Sequence, residues 1–393
     1  MARLFTPSST VGACVAMVAV GGMMAAYGPV IPELQARFGL SEAVAGSGLA
    51  VQSIGAVVGV LSAQPVLRRW GNRFAVSIAL VLISFGAGLI CFAPTWPLVL
   101  AGAVVAGFGF GGCDALITQL FILGQGSRGP ALVNVAHACF GIGTVAAPAL
   151  IATIGAEHYP LLFGAIAVVG VAALTSMRGL SPRPTPADVA AAQPSSSGAN
   201  PRATRVGVAI VGGLLVLYIA HFAVQSGIGN WEPTRLLDLG HNAHAASLAT
   251  SGFWLMMVVG RFLVVPLVHR IDPSVIVIVS TVGMTAAITV ALIPSVTIWA
   301  YLAAGLFIGP IFPNGLNWLA ATNRAQGSAF AYVIAGAMAG AVICPPLIGL
   351  LIGMSGTGVL APALIVAASL CVCAALVVRR ASASVTPEAA TRG

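Results

Sequence analysis

Long apolar segments alternate with short polar loops along the whole chain. Each segment is about as long as the ~20 residues that a helix needs to cross a bilayer. The pattern therefore predicts an all-α membrane protein whose first segment is a true span, because it is too long for the core of a signal peptide. The twelve predicted transmembrane helices lie at about 10–32, 43–67, 74–93, 97–121, 130–154, 159–177, 206–229, 244–268, 274–293, 297–320, 327–352 and 358–378.

Composition supports this reading and removes several other classes of protein. Of the 393 residues, 59% are hydrophobic and 7% are charged, which excludes a water-soluble domain. The net charge of +8 comes from Arg residues scattered between apolar runs, without a basic face that would bind nucleic acid. The seven Cys residues lie in apolar segments without metal-ligand spacing, so the sequence predicts no disulfide, metal site or cofactor.

Charged residues in the loops predict the orientation. Most Arg residues fall in alternate loops, and an excess of loop Arg marks the cytoplasmic side. We therefore expect a multi-pass protein of the bacterial inner (plasma) membrane with cytoplasmic N- and C-termini. Among the Arg residues, Arg37 and Arg235 are predicted outside and Arg261 within a span. The predicted outer loops carry the acidic residues Glu33, Glu42, Glu157, Glu232 and Asp238.

A Pro-, Ser- and Ala-rich stretch divides the sequence into two halves. We predict an N-terminal six-helix bundle at 1–177, a cytoplasmic linker at 178–205, a C-terminal six-helix bundle at 206–380 and a disordered tail at 381–393. A shift of 198 residues aligns the halves and places Gly111 on Gly309 and Pro148 on Pro346. Parallel repeats of this kind are typical of transporters.

The polar residues are not repeated along with the glycines. In the second half, Phe312 stands in the place of Asp114, and Ala335 in the place of His137. Asp114 is the acidic residue of an otherwise apolar core, and ionisable groups at that depth are usually functional. Asp114 is therefore the predicted proton carrier, with His137 holding its charged form. Two alternatives remain: Asp114 only hydrogen-bonds the substrate, or His137 is a packed residue that bonds a carbonyl.

Polar residues on the first, fourth, fifth, seventh and tenth helices are the candidate substrate contacts. Several are spaced three or four residues apart and so share a helix face. Trp231 and Trp318 either stack on a sugar ring or anchor the protein at the interface. The predicted substrate-binding residues are Tyr27, Thr118, Gln119, Asn134, His221, Gln225, Trp231, Asn314 and Asn317.

The loop after the second helix, PVLRRWGNR from Pro65 to Arg73, resembles the loop motif of the major facilitator superfamily. That motif normally has an Asp where Arg68 stands, so the usual ion pair is missing here. The resemblance implies two six-helix bundles and a gating role for this loop and for the loop after the eighth helix. Arg261 either closes an inner gate or extends its side chain to the headgroups. The implied gating residues are Arg68, Arg69, Gly71, Arg73, Arg261 and Arg270.

Two segments are similar to the fucose:proton symporter group of that superfamily. NVAHACFGIGTVAAP, starting at Asn134, resembles its fifth helix, and GFGFGGCD, ending at Asp114, its fourth. The similarity implies proton-coupled transport of a small polar, sugar-like solute by alternating access, with Asp114 as the coupling residue. A second acid, expected on the first helix, is absent around Tyr27 and Pro29. The implied partners are the solute, protons and membrane lipid, and the implied state is a monomer.

Two other functions compete with this one. A proton-driven exporter of drugs or hydrophobic metabolites has the same fold, but typically carries a fourth-helix Arg where Ala103 stands and a Gly-Pro where Ala147 and Pro148 stand. An intramembrane aspartyl or zinc protease would need two membrane Asp residues or a His-Glu-x-x-His, and the sequence contains neither pattern. The Gly-x-Ser-Gly of an intramembrane serine protease occurs at Gly353–Gly356, but four residues alone are too short a pattern to predict that chemistry. The sequence therefore predicts no catalytic residues.

Overall fold

The computed structural model describes residues 4–124, 129–182, 201–267, 270–321 and 327–383. These residues form an all-helical fold, and eleven of the helical segments are long and apolar enough to cross a membrane. A shorter apolar run, Ala339–Ser355, lies inside α12. The predicted all-α, multi-pass membrane fold is confirmed. The helices are α1 Pro7–Ala25, α2 Tyr27–Phe38, α3 Glu42–Trp70, α4 Asn72–Cys91, α5 Trp96–Gly124, α6 Gly129–Ile154, α7 Tyr159–Ser176, α8 Pro201–Asp238, α9 Ala243–Val264, α10 Pro273–Val290, α11 Thr297–Ala321, α12 Gly327–Ser355 and α13 Leu360–Ala383.

The first predicted span consists of two helices, α1 and α2, which meet at Ala26. Proline has no backbone N–H, so Pro29 cannot bond the carbonyl of Ala25 four residues earlier. The helical ladder is interrupted at that point. The single continuous helix predicted at 10–32 is therefore wrong in its detail, although the segment is helical on both sides of the break.

Two helix starts have capping hydrogen bonds to side chains. The Ser41 hydroxyl accepts from the Val44 N–H at 3.4 Å, at the start of α3. The Asp272 carboxylate accepts from the Ser274 N–H at 2.7 Å, at the start of α10. Each side chain satisfies a backbone donor that has no partner within its own helix.

The seventh span is longer than predicted at both ends. α8 begins at Pro201, inside the predicted linker, and continues to Asp238, inside the predicted outer loop. Glu232, predicted to lie in that loop, is a fully buried residue of α8. α13 likewise extends to Ala383, so the first residues of the predicted disordered tail are helical. The rest of the linker and of the tail, 183–200 and 384–393, lies outside the described residues.

The contacts divide the chain into two compact units. The first unit comprises Met1–Gln193, Gly229–Trp254 and Pro345–Thr357, and the second comprises Pro194–Ile228, Leu255–Cys344 and Gly358–Gly393. The first unit therefore holds one end of α8, of α9 and of α12 in addition to the helices of the first half. The predicted boundaries at 177 and 205 stay a prediction.

Besides Gly71, which follows α3, four more glycines with positive φ stand at helix ends of the first unit. These glycines are Gly39, Gly155, Gly240 and Gly356, with φ of 63°, 90°, 88° and 78°. They follow the first, fifth, seventh and eleventh spans, and successive spans run in opposite directions, so all four lie on one side of the membrane. We call this side the glycine-capped end. Glycine is the residue that adopts such backbone angles without strain.

Candidate functional site

The helix that carries Asp114 is held between two neighbours at backbone contact distance. A Cβ atom added at Gly107 would lie 2.0 Å from the Gln52 carbonyl oxygen of α3, and one at Gly111 would lie 2.0 Å from that of Ala56. On the other side, a Cβ at Gly109 would lie 2.3 Å from a backbone nitrogen of α4. Small residues allow helices in a membrane to approach this closely. The turn before Asp114 is therefore fixed in position.

Asp114 and Thr118 are both half-buried, one helical turn apart on α5. The spacing of four residues puts them on the same helix face. Gln119 is also half-buried, and its side-chain oxygen accepts a hydrogen bond from the Gln64 amide of α3. Part of the hydrogen-bonding capacity of Gln119 is therefore used within the first unit. Sequence reasoning did not identify Gln64, which is a polar residue near the end of an apolar segment.

The two polar candidates of α6 differ in exposure. His137 is half-buried and its ring contacts that of Phe140 edge-on, with 6.4 Å between ring centroids. Asn134 is exposed. Behind them α6 packs tightly on α1, since a Cβ added at Gly143 would lie 2.1 Å from the Val18 carbonyl oxygen. The assigned roles of His137 and Asn134 stay predictions.

The second unit holds a separate polar cluster on α8 and α11. His221 and Gln225 of α8 are 1% and 5% exposed, and Asn314 of α11 is 3% exposed. The Asn314 amide donates to the Pro310 carbonyl at 2.8 Å. Within the described residues, no hydrogen-bond partner is found for His221 Nδ1 or Asn314 Oδ1. Asn317, in contrast, is exposed.

Aromatic rings surround His221, and sequence reasoning missed them. The ring centroids of Tyr218 and Phe222 lie 6.5 Å and 5.4 Å from that of His221. Phe312 contacts both Tyr218 and Phe222, and the Tyr218 hydroxyl donates to the Phe312 carbonyl at 2.8 Å. The sequence did contain a signal for these rings, because Tyr218 lies three residues before His221 and Phe222 directly after it on α8. We call Tyr218, Phe222 and Phe312 the aromatic cluster.

Arg261 of α9 is half-buried in the second unit. The sequence placed Arg261 among gating residues and His221 among substrate-binding residues. Both residues belong to the second unit, and their assigned roles stay predictions. A basic group inside a span is costly in an apolar medium, so Arg261 needs a partner, a cavity or a route to the headgroups.

Tyr27 and Trp231, both candidates for substrate contact, are buried within the first unit. Tyr27 packs edge-on against Phe163, with 5.6 Å between centroids. Trp231 is fully buried, and its indole N–H donates to the Pro345 carbonyl at 3.0 Å. Trp318 is likewise buried, at 4% exposure. Stacking of these residues on a substrate stays a prediction.

The loop between α3 and α4 contacts the first residues of the predicted linker. Gly71 has a φ of 84°, and a Cβ there would lie 2.0 Å from the Pro182 carbonyl oxygen. The Arg73 guanidinium donates to the Leu180 carbonyl at 3.3 Å and to the Arg178 carbonyl. The other three predicted gating residues of the loops, all exposed, are Arg68, Arg69 and Arg270.

Comparison with known proteins identifies the family. The model of the Major Facilitator Superfamily matches residues 13–234 and 214–392. The chain therefore belongs to the Major Facilitator Superfamily, whose members are transporters of small molecules. This confirms the broader part of the resemblance and leaves the fucose:proton symporter group as a prediction.

Curated relatives match only part of the chain. Major facilitator superfamily domain-containing protein 4A of Mus musculus is 28% identical over 139 residues, or 34% of this chain. The protein of the same name from Homo sapiens is 26% identical over 152 residues, or 37% of this chain. The chain spans 27% and 29% of the length of these relatives.

Solved structures match over nearly the whole length. The crystal structure of a D-xylose-proton symporter superposes with a TM-score of 0.78 at 16% identity, covering 94% of this chain and 96% of that one. The nucleoside transporter NupG superposes with a TM-score of 0.73 at 12% identity, covering 95% and 99%. At such low identity these likenesses show the fold.

Proposed function

We propose that this protein is a secondary active transporter that moves a small polar, sugar-like solute across the membrane by alternating access, coupled to protons. It acts as a monomer in the bacterial inner membrane, with both termini in the cytoplasm. In that orientation the glycine-capped end faces outwards.

The observation that carries this proposal is the position of Asp114. The carboxyl group is half-buried on a helix whose neighbouring turn touches two other helix backbones. A carboxylate inside a span has a high solvation cost, and a protein that only needed packing there would use an apolar residue, as α11 does at Phe312. An acidic group that is retained at this depth and held in place suits reversible proton binding.

The substrate contacts that we propose combine polar groups with aromatic rings. Buried polar side chains at His221, Gln225 and Asn314 offer hydrogen bonds to hydroxyl groups. The aromatic cluster beside them provides flat apolar faces, which suit the carbon face of a sugar ring. Thr118, Gln119 and Asn134 are further proposed contacts, and His137 adjusts the proton affinity of Asp114.

Uptake into vesicles under an imposed pH gradient tests the proposal. Labelled sugars and hydrophobic metabolites are screened with the wild-type protein, and the active compound is then used with Asp114→Asn. A carrier that cannot release its proton should lose gradient-driven accumulation at least about tenfold while retaining exchange of labelled for unlabelled solute. Unchanged accumulation in Asp114→Asn would exclude Asp114 as the coupling residue.

Asp272→Asn is the matched control. It removes a carboxylate by the same chemical change, and Asn still caps α10. We expect wild-type accumulation from this variant. Gradient-driven expulsion of hydrophobic metabolites, with no sugar uptake, would instead favour the exporter.

A further inference from the structure

Glu232 lies in the part of α8 that is buried on every side. Five consecutive residues, Gly229–Pro233, are all buried, so no face of this turn is open. A helix that faces lipid or water exposes one side, and this stretch is therefore enclosed by protein. Glu232 itself is 0% exposed. It is a buried acid that the proposed transport mechanism does not use.

Backbone contacts from several helices enclose this turn within the first unit. A Cβ added at Gly28 of α2 would lie 2.2 Å from the Gly229 carbonyl oxygen. A Cβ at Gly229 would lie 2.7 Å from the ring of Trp254 on α9, and one at Gly349 of α12 would lie 2.8 Å from the ring of Trp231. The turn that carries Glu232 is therefore packed against α2, α9 and α12.

The α9 helix is tied to α6 on the same side of the membrane. The Ser251 hydroxyl donates to the Val145 carbonyl at 2.8 Å, and His244 Nδ1 donates to the Ala152 carbonyl at 2.7 Å. Both pairs are seven residues apart on their helices, as expected for two antiparallel helices in contact. The ends of α8, α9 and α12 that belong to the first unit thus form one packed assembly, which we call the closed end.

Glu232 has one hydrogen-bonding neighbour in the described part of the chain. Thr250 Oγ1 lies 3.3 Å from Glu232 Oε2 and 3.3 Å from the Ala246 carbonyl oxygen, and no partner is found for Oε1. A hydroxyl has a single hydrogen to donate. When Thr250 donates its hydrogen to the Ala246 carbonyl, the hydrogen bond between Thr250 Oγ1 and Glu232 Oε2 needs a proton on Glu232, which then donates to the hydroxyl.

No opposite charge compensates Glu232 within the described residues. The ion pairs found there are His158 with Glu157 and Arg235 with Asp238, and neither includes Glu232. The other charged or titratable groups on the helices packed around this turn, at their ends in the first unit, are Glu33, Arg37, Tyr27, Glu42 and His244. Of these, Arg37 donates to the Tyr159 hydroxyl at 2.8 Å, and His244 is bound to the Ala152 carbonyl.

We propose that Glu232 is a second proton-binding residue, which holds a proton while the closed end is packed and releases it when the closed end separates. An ionised carboxylate that is buried without a counter-charge is costly enough to take up a proton instead. The proposal rests on the proposed function in one respect, namely that the closed end opens during transport. Proton binding at Glu232 would thereby make this opening sensitive to the pH on that side.

Infrared spectroscopy of the full-length protein in lipid tests the protonation directly. A protonated carboxylic acid has a carbonyl stretching band that a carboxylate lacks. At neutral pH, we expect this band to contain a component that Glu232→Gln removes and Asp272→Asn leaves unchanged. Identical carboxylic-acid bands in wild type and Glu232→Gln would overturn the proposal.

Hydrogen–deuterium exchange of 229–254 tests the coupling to packing. The packed state binds one more proton than the open state, so raising the pH favours opening by up to about tenfold per pH unit. After correction for intrinsic exchange, exchange in the wild type should accelerate as the pH rises above about 4.3, the ordinary pKa of a glutamate, and Glu232→Gln should remove this dependence. A wild type without this acceleration would overturn the proposal even if the variant did not fold.

Thr250→Val is the second variant, since it removes the neighbouring hydroxyl but retains the acid. It should keep a pH-dependent exchange, with opening at lower pH than in the wild type. Failure of the proposed function is distinguishable, because Asp114→Asn then accumulates solute normally while the infrared component of Glu232 is still present.

Discussion

α5 and α11 occupy corresponding places in the two halves of the sequence, and their packing is alike. Gly111 of α5 meets the Ala56 carbonyl of α3, and Gly309 of α11 meets the Met257 carbonyl of α9, with Cβ distances of 2.0 Å and 2.2 Å. Three residues further on the two helices differ. α5 carries Asp114, whereas α11 carries Phe312 within the aromatic cluster.

The comparison indicates which residues of the repeated helix serve packing and which one is a candidate for function. The glycine contacts are repeated, because both helices must approach a neighbour closely. The residue that follows them is free to differ. Phe312 contributes ring contacts within the second unit, whereas Asp114 is, in our proposal, a proton-binding group.

The largest effect on stability is expected from adding a side chain at the glycines where two helices touch. Gly111→Ala places a Cβ against a backbone oxygen that cannot move alone, and we expect a loss of about 3 kcal/mol in the free energy of unfolding. Gly309→Ala should behave in the same way if the two contacts are equivalent. Thermal unfolding of purified protein in detergent measures both.

Gly88→Ala is the matched control for these variants. Gly88 lies inside α4, and its Cβ position has no atom within 4 Å among the described residues. The same substitution should there stabilise the protein by about 0.5–1 kcal/mol, because alanine is the better helix former. Equal losses at Gly88 and Gly111 would show that close approach is not the reason for the glycine.

A smaller effect, divided between two measurements, should distinguish Phe312 from Asp114. Phe312→Leu removes ring contacts with Tyr218 and Phe222, and we expect a loss of about 1 kcal/mol in unfolding free energy and weaker solute binding, with accumulation still driven by the proton gradient. Asp114→Asn should leave the unfolding temperature almost unchanged and stop accumulation. If Phe312→Leu also uncoupled transport, the second copy would have a functional role of its own.

The smallest effect concerns the two basic loops. Arg73→Gln removes the donors to the Leu180 and Arg178 carbonyls and should cost about 1 kcal/mol or less. Arg270 is exposed, so Arg270→Gln should change the unfolding free energy by less than about 0.5 kcal/mol. Urea-dependent unfolding in detergent compares the pair, and equal effects would contradict an anchoring role for Arg73.

The helices were predictable because their signals are local. Apolar segments of spanning length and caps such as Ser41 and Asp272 depend only on neighbouring residues. Asp114 could be named as a candidate functional residue for the same reason, since a charge within an apolar run is visible in the sequence alone. The glycine repeat could also be read, because aligned glycines indicate a shared packing surface before any contact is known.

The misassigned residues depend on tertiary contacts. Glu232 is followed by Pro233, Arg235 and Asp238, a composition typical of a loop, yet neighbouring helices bury this turn and the helix continues through the proline. The aromatic cluster joins Tyr218 to Phe312, 94 residues apart, and no local pattern predicts such a pair. Burial of an isolated polar residue is decided by what packs on it.

The glycine-capped end has a practical consequence for anyone who modifies this protein. Between α2 and α3 only three residues, Gly39, Leu40 and Ser41, reverse the chain, and Gly39 already requires a backbone angle that other residues resist. A turn this short is a poor site for proteolytic cleavage, for antibody binding or for the insertion of an epitope. Tags and cleavage sites are better placed after Ala383, beyond the end of α13.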